Sequence, residues 1–215
     1  MELTKPQIEK INQFLERKNL NYIDVKLEVL DHIVSDIEFL MIENEITFEC
    51  AFLRTTSKWE RHLRETSSFF FGIVFSAPKI VIEKAKKIFW KQYIFLILSY
   101  FLPFLILTNY NFEIQNPSSY SFFIVLKVVI IISSITFIYI FFTKNNKIKT
   151  TYGFILKTQS LTVLTGIIVL SMFFTNLKTL NGINIGLLCS FLFSTYNYYY
   201  FYEKHQFAVI KYNVS

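Results

Sequence analysis

SFFIVLKVVIIISSITFIYIFF, Ser121 to Phe142, decides the fold. Lys127 is its one charged residue, and everything else in it is apolar, aromatic or a small hydroxyl. A helix that crosses a bilayer needs ~20 mostly apolar residues, because each residue advances 1.5 Å through a hydrocarbon core of ~30 Å. Hydrocarbon offers no partner to a peptide N–H or C=O, so such a stretch must bond within itself, as a helix. The quoted stretch predicts a span over about 120–143.

Three further stretches read the same way. QYIFLILSYFLPFLILT predicts a span over about 90–108, LTVLTGIIVLSMFF one over about 158–176, and IGLLCSFLFSTYNYYYFY one over about 183–202. Lys and Arg in short loops set orientation. Lysines number five before the first span (Lys79, Lys84, Lys86, Lys87, Lys91) and none in the first loop. They number four in the second loop, one in the third (Lys178) and two in the tail. That alternation predicts both termini in the cytoplasm. Tyr196, Tyr198, Tyr199, Tyr200 and Tyr202 then fall at the cytoplasmic interface, a depth amphipathic rings prefer, with Trp90 and Tyr93 at the same level.

Charge divides the chain at about residue 66. Residues 1–66 hold thirteen acidic and nine basic residues, net −4, and residues 67–215 hold three acidic and thirteen basic, net +10. The lysines of the basic part flank apolar runs, which points to anionic lipid headgroups and away from direct nucleic-acid binding. Cys50 and Cys189 form no CxxC and no disulfide framework. Met1 is followed by a charged amphipathic segment, so no cleavable signal peptide is expected.

Residues 1–66 predict a cytoplasmic three-helix module. Thr4 and Gln7 fit a capping box, and Ile8, Ile11 and Leu15 form a helical stripe that ends near Asn19–Asn21. In the second helix, about Tyr22 to Glu43, Leu27, Leu30, Val34, Ile37 and Met41 repeat at helical spacing and predict a buried seam, widened by Ile33 and Leu40. A third helix follows Thr47 to about Arg64, with Phe48, Phe52, Leu53, Trp59 and Leu63 as its apolar set. The expected fold class is all-α: this module, an amphipathic juxtamembrane elbow over 67–89, and a four-helix transmembrane bundle over 90–215. In the elbow, Lys79, Lys84, Lys86, Lys87 and Lys91 would meet headgroups while apolar side chains sit below.

Glu28, His32 and Asp36 stand at i, i+4 and i+8 on the second helix, beside Asp31, Ser35 and Glu38. A carboxylate and an imidazole at that spacing could bind a divalent metal, yet structural zinc asks for four ligands and one helix supplies too few. The better reading of Glu28, Asp31, His32, Asp36 and Glu38 is a solvated face that docks a protein partner. No cofactor is expected. Within the spans Lys127 is the lone ionisable residue; at its depth it can snorkel outward, and no carboxylate or imidazole accompanies it as a proton relay. Gly182 and Gly186 form a short GxxxG, a motif that permits close helix approach and a homo-oligomer contact.

FLERKNLNYIDVKLEVLDHIVSDIEFLMIENEITFECAF, Phe14 to Phe52, resembles the HAAS-type helical signalling domain. The resemblance rests on the short first helix, the LEVLDHI core from Leu27 to Ile33, the acidic stretch after it, and Thr47 to Ala51. It covers about residues 6–65, and Asn19-Leu20-Asn21 stands where that family has Leu-Pro. It implies a bacterial four-span inner-membrane protein with a cytoplasmic partner such as a PadR-like regulator, and no catalytic residues. A non-enzymatic signalling or regulatory membrane protein is therefore the leading expectation. A transporter or channel component would need a polar path. A membrane-embedded lipid-acting enzyme would need clustered acids or histidines, where the tail offers Glu203 and His205.

Overall fold

The computed structural model describes residues 2–109, 112–113, 117–144, 147–174 and 179–213. Helices dominate it: α1 (Lys5–Arg17), α2 (Ile23–Glu43), α3 (Phe48–Leu63), α4 (Lys79–Leu107), α5 (Pro117–Thr143), α6 (Thr151–Phe174) and α7 (Gly182–Asn213). Two antiparallel pairs interrupt them, β1 (Glu65–Ser68) with β2 (Gly72–Pro78) and β3 (Phe112–Glu113) with β4 (Thr179–Leu180). Lys178 lies outside the described residues.

Two units divide the chain. The first comprises Met1–Lys87, Asn146–Phe154 and His205–Ser215, and the second Ile88–Asn145 and Ile155–Lys204.

The first unit begins with α1. Gln7 Oε1 accepts the Thr4 backbone N–H at 2.8 Å, which satisfies a donor that the helix start would otherwise leave bare. Ile11 and Leu15 bury one face of α1, and Asn19, at φ 59°, ends the turn after it in the left-handed region that asparagine tolerates. On α2 the buried apolar row is Val25, Val29, Ile33 and Ile37. This corrects the expected seam. Leu27 is 41 % exposed, and Leu30, Val34 and Met41 are half-buried. The helix is apolar around much of its girth, so both rows satisfy helical periodicity. The i, i+4 ridge is the one that meets the neighbouring helices. Each such aliphatic side chain, fully buried, contributes ~1.5–3 kcal/mol.

After α3 the chain makes a hairpin within the stretch expected to form an amphipathic juxtamembrane elbow. Glu65 pairs with Pro78, Thr66 with Ala77 and Ser67 with Ser76, and the register shifts at Ser68, which pairs with Gly72. Gly72 holds φ +92°, open to glycine and strained for other residues, so the turn can close there. Ile73, Val74 and Phe75 are β-formers, and Pro78 removes a donor and ends the strand. Helix α4 then starts at Lys79 and runs unbroken to Leu107, so no boundary separates a juxtamembrane segment from the expected first span.

Among the described residues, three helices are long and apolar enough to cross a membrane: Lys79–Leu107, Ser121–Thr143 and Thr151–Met172. In the second unit their outward faces carry exposed Phe95, Leu102, Leu105, Ile131, Ile135 and Met172, among others. Helix α7 is longer than any of them, but its tyrosines and asparagines dilute its apolar character. It packs through Tyr198, fully buried with its ring 4.8 Å from that of Phe137, and through Phe201, 5.6 Å from Phe89. Tyr198 is thus a core residue, and not the interface anchor the tyrosine run suggested. Tyr196 and Tyr199 remain exposed. A Cβ on Gly186 would lie 2.7 Å from the Tyr100 carbonyl oxygen, and one on Gly182 would lie 2.8 Å from that of Phe104. The GxxxG lets α7 approach the backbone of α4 within one chain.

Candidate functional site

The acidic residues of α2 are spent mostly on neighbours. Glu28 Oε2 accepts Lys84 Nζ at 2.6 Å. Asp36 Oδ2 takes Lys58 Nζ at 3.2 Å and the Trp59 indole N–H at 3.4 Å. Glu38 Oε1 accepts the Leu3 backbone N–H at 2.9 Å. The His32 ring stacks on Trp59, with centroids 6.4 Å apart and planes 16° from parallel. These four belong to internal contacts more than to an open docking face. Among the described residues no three His, Cys, Asp or Glu side chains are placed to hold a metal ion.

Asp31 differs. It is exposed, and its carboxylate makes no hydrogen bond or ion pair among the described residues. The exposed strip of α2 on which it sits reads Leu27, Asp31, Ser35, Phe39 and Ile42, at spacings of four, four, four and three. Phe39 and Ile42 are each 61 % exposed, large side chains for which the three-helix packing supplies no cover. This strip was missed in the sequence because its polar and apolar members break the rule that a wet face is polar.

Of the five juxtamembrane lysines, Lys84 turns inward. Its Nζ lies 2.6 Å from Glu28, 3.3 Å from the Asp24 carbonyl oxygen and 4.0 Å from Asp24 Oδ2. Lys79 lies 3.6 Å from Glu83, one turn on. Lys86, Lys87 and Lys91 are exposed, as is Lys127.

Lys84 leads to a buried polar junction that the sequence did not announce. Asp24, 7 % exposed, accepts the Thr151 backbone N–H through Oδ1 at 2.9 Å. Thr151 is the first residue of α6, so a carboxylate stands where the helix leaves its N–H groups unpaired and its dipole is positive. Thr150 Oγ1 accepts the Gly153 N–H at 3.0 Å and lies 2.8 Å from His205 Nδ1. The hydroxyl can then donate to Nδ1. A Cβ on Gly153 would meet the His205 ring at 3.2 Å. The Lys149 carbonyl accepts the Ile23 N–H at 2.9 Å, and the Tyr22 and Phe154 rings meet edge to face at 6.2 Å. Burial, then the negative charges of Glu65 and Asp24, pushes the Tyr22 hydroxyl up to about 12. The signals were local ones: paired threonines before a helix and an acid in the first turn of another. The pairing itself joins residues 127 apart. His205 is tied to this junction, and Glu203 accepts the Tyr199 hydroxyl at 2.7 Å, so the two tail residues are placed apart in role.

In the second unit a cleft of about 360 Å³ opens between Leu96, Tyr100, Gly166, Leu187 and Phe191. Of the hydroxyls along it, those of Thr165, Ser190 and Ser194 donate to carbonyls of their own helices at 2.7–3.0 Å, and apolar side chains make up most of the lining. No polar path for an ion is formed by these groups.

No family model, curated protein or solved structure matches this chain.

Proposed function

We propose that this is a non-enzymatic, multi-pass protein of the bacterial inner membrane whose N-terminal helices dock a cytoplasmic protein. In this reading α7 is a fourth span, both termini lie in the cytoplasm, and Lys86, Lys87 and Lys91 meet anionic headgroups. The observation that carries the docking role is the α2 strip, where Phe39 and Ile42 stand exposed beyond the unpaired Asp31. Large apolar side chains beside a charge make a surface suited to a partner helix. A PadR-like regulator, the partner class implied by the HAAS-type resemblance, is the partner we propose. Glu28, His32, Asp36 and Glu38 support the strip by holding α2 to α3, α4 and the N-terminal segment. The buried junction around Asp24 and Thr151 supports a signalling reading, because it fixes α2 to the first residue of an apolar helix.

The test is affinity capture with the full-length protein in mild detergent. Wild type should recover one specific protein, and Phe39→Asp with Ile42→Asp should lose it while the chain still elutes as a folded species. Equal recovery by both proteins, or none by either, would count against the docking role.

A transporter or channel is the weaker reading: Lys127 is exposed on α5, and the cleft of the second unit is apolar.

A further inference from the structure

The β1–β2 hairpin exposes more apolar surface than its size can explain. Phe69 is 91 % exposed, Val74 90 % and Ile73 70 %. A soluble protein rarely leaves three large apolar side chains so bare on one short hairpin. Phe71, at the turn, is buried and packs edge to face on Phe154, with centroids 5.3 Å apart. The hairpin is therefore held in place, and its bare residues are not those of a frayed loop.

Contacts within the first unit place that turn beside the start of α6. Lys84 of α4 and Thr151 of α6 both meet Asp24. Phe154 lies one turn further along α6, toward its apolar stretch, and carries Phe71. Lys86 and Lys87 lie within one turn past Lys84 on α4, and both are exposed. Through Asp24 and Phe154 the turn of the hairpin is linked to the starts of two helices apolar enough to cross a membrane, one of which carries two solvent-facing lysines. Aromatic and aliphatic side chains beside lysines are what the boundary between headgroups and acyl chains accommodates.

We propose that Phe69, Ile73 and Val74 dip into the interfacial layer of an anionic bilayer, and that the hairpin fixes the depth at which the N-terminal helices stand. This rests on the reading of α4 and α6 as membrane-crossing. Lipid is favoured over a peptide added to a strand edge because the bare groups are side chains grouped near the turn, which is linked to the helix that carries Lys86 and Lys87. An edge-on peptide would be held by backbone groups along β2.

The test uses the full-length protein with Cys50→Ser and Cys189→Ala, in phosphatidylcholine–phosphatidylglycerol nanodiscs. An environment-sensitive NBD label is placed singly at Phe69→Cys, Val74→Cys, Asp31→Cys as the solvent reference, and Ile131→Cys in the middle of α5. Labels at 69 and 74 should emit to the blue of that at 31 and lose emission when shallow nitroxide lipids are included. The label at 131 should respond to deep nitroxides. If 131 responds and 69 and 74 behave like 31, the hairpin is in water and the proposal falls while the membrane reading stands. If 69 and 74 are blue-shifted but untouched by nitroxides, protein covers them and the proposal also falls. If 131 does not respond, the membrane reading fails and takes the proposal with it.

Discussion

The Asp24 carboxylate accepts the Thr151 backbone N–H at 2.9 Å, joining α2 to the start of α6 across 127 residues. Asp24→Ala leaves that buried N–H without a partner, at a cost of about 1–3 kcal/mol. Asp24→Asn keeps an acceptor and loses only the charge that faces the helix dipole and Lys84. Thermal unfolding of the full chain in detergent should therefore rank wild type above Asn and Asn above Ala. An Ala variant as stable as wild type would show that the bond is dispensable.

Gly153 faces the His205 ring, 3.2 Å from where a Cβ would stand. Gly153→Val must push the ring off Thr150 and should lower the apparent Tm. Removing the ring should restore most of the loss, so Gly153→Val with His205→Ala should melt above Gly153→Val alone. Additive losses in the double variant would mean that the two residues do not press on each other.

Gly186 is backed by a peptide oxygen, which cannot rotate away. A Cβ there would stand 2.7 Å from the Tyr100 carbonyl oxygen. Gly186→Val should destabilise the α4–α7 contact by about 1–3 kcal/mol, the usual cost of overpacking. Detergent unfolding followed by helical circular dichroism reads this directly. Unchanged unfolding would place the glycine face outside the packed interface.

Burial pushes the Tyr22 hydroxyl up to about 12, from 10.0 for an unperturbed tyrosine. The unfolded chain gives up this proton first, so the phenol's contribution to stability is complete below pH 10 and is lost as pH rises toward 12. Tyr22→Phe should remove that component. Over this window its apparent Tm should fall less steeply than that of wild type, and parallel curves would contradict the assignment.

Three of the four expected spans were legible because their signal is long and one-sided: SFFIVLKVVIIISSITFIYIFF cannot be folded cheaply in water. The helix breaks at Asn19 and Thr47 were legible because they rest on local backbone preferences: asparagine tolerates positive φ, and threonine favours the extended N-cap position. The α2 seam was misplaced because Leu27–Leu30–Val34 and Val25–Val29–Ile33 both repeat at helical spacing, and only the packed neighbours choose between them. The hairpin was hidden because its turn depends on one glycine at positive φ inside a run that reads as amphipathic. Asp24, Thr150 and His205 form no spacing motif, so no local pattern announces their meeting.

The docking role of α2 is tested most directly by placing a photo-crosslinking residue at Phe39 in the full-length protein and irradiating native membranes. One discrete adduct is expected from Phe39, a matching one from Ile42, and none from Ile33, which is fully buried. The Asp31→Lys change should weaken both adducts. No adduct at Phe39 or Ile42, in membranes where the protein is present and folded, would contradict the claim that this strip meets a partner.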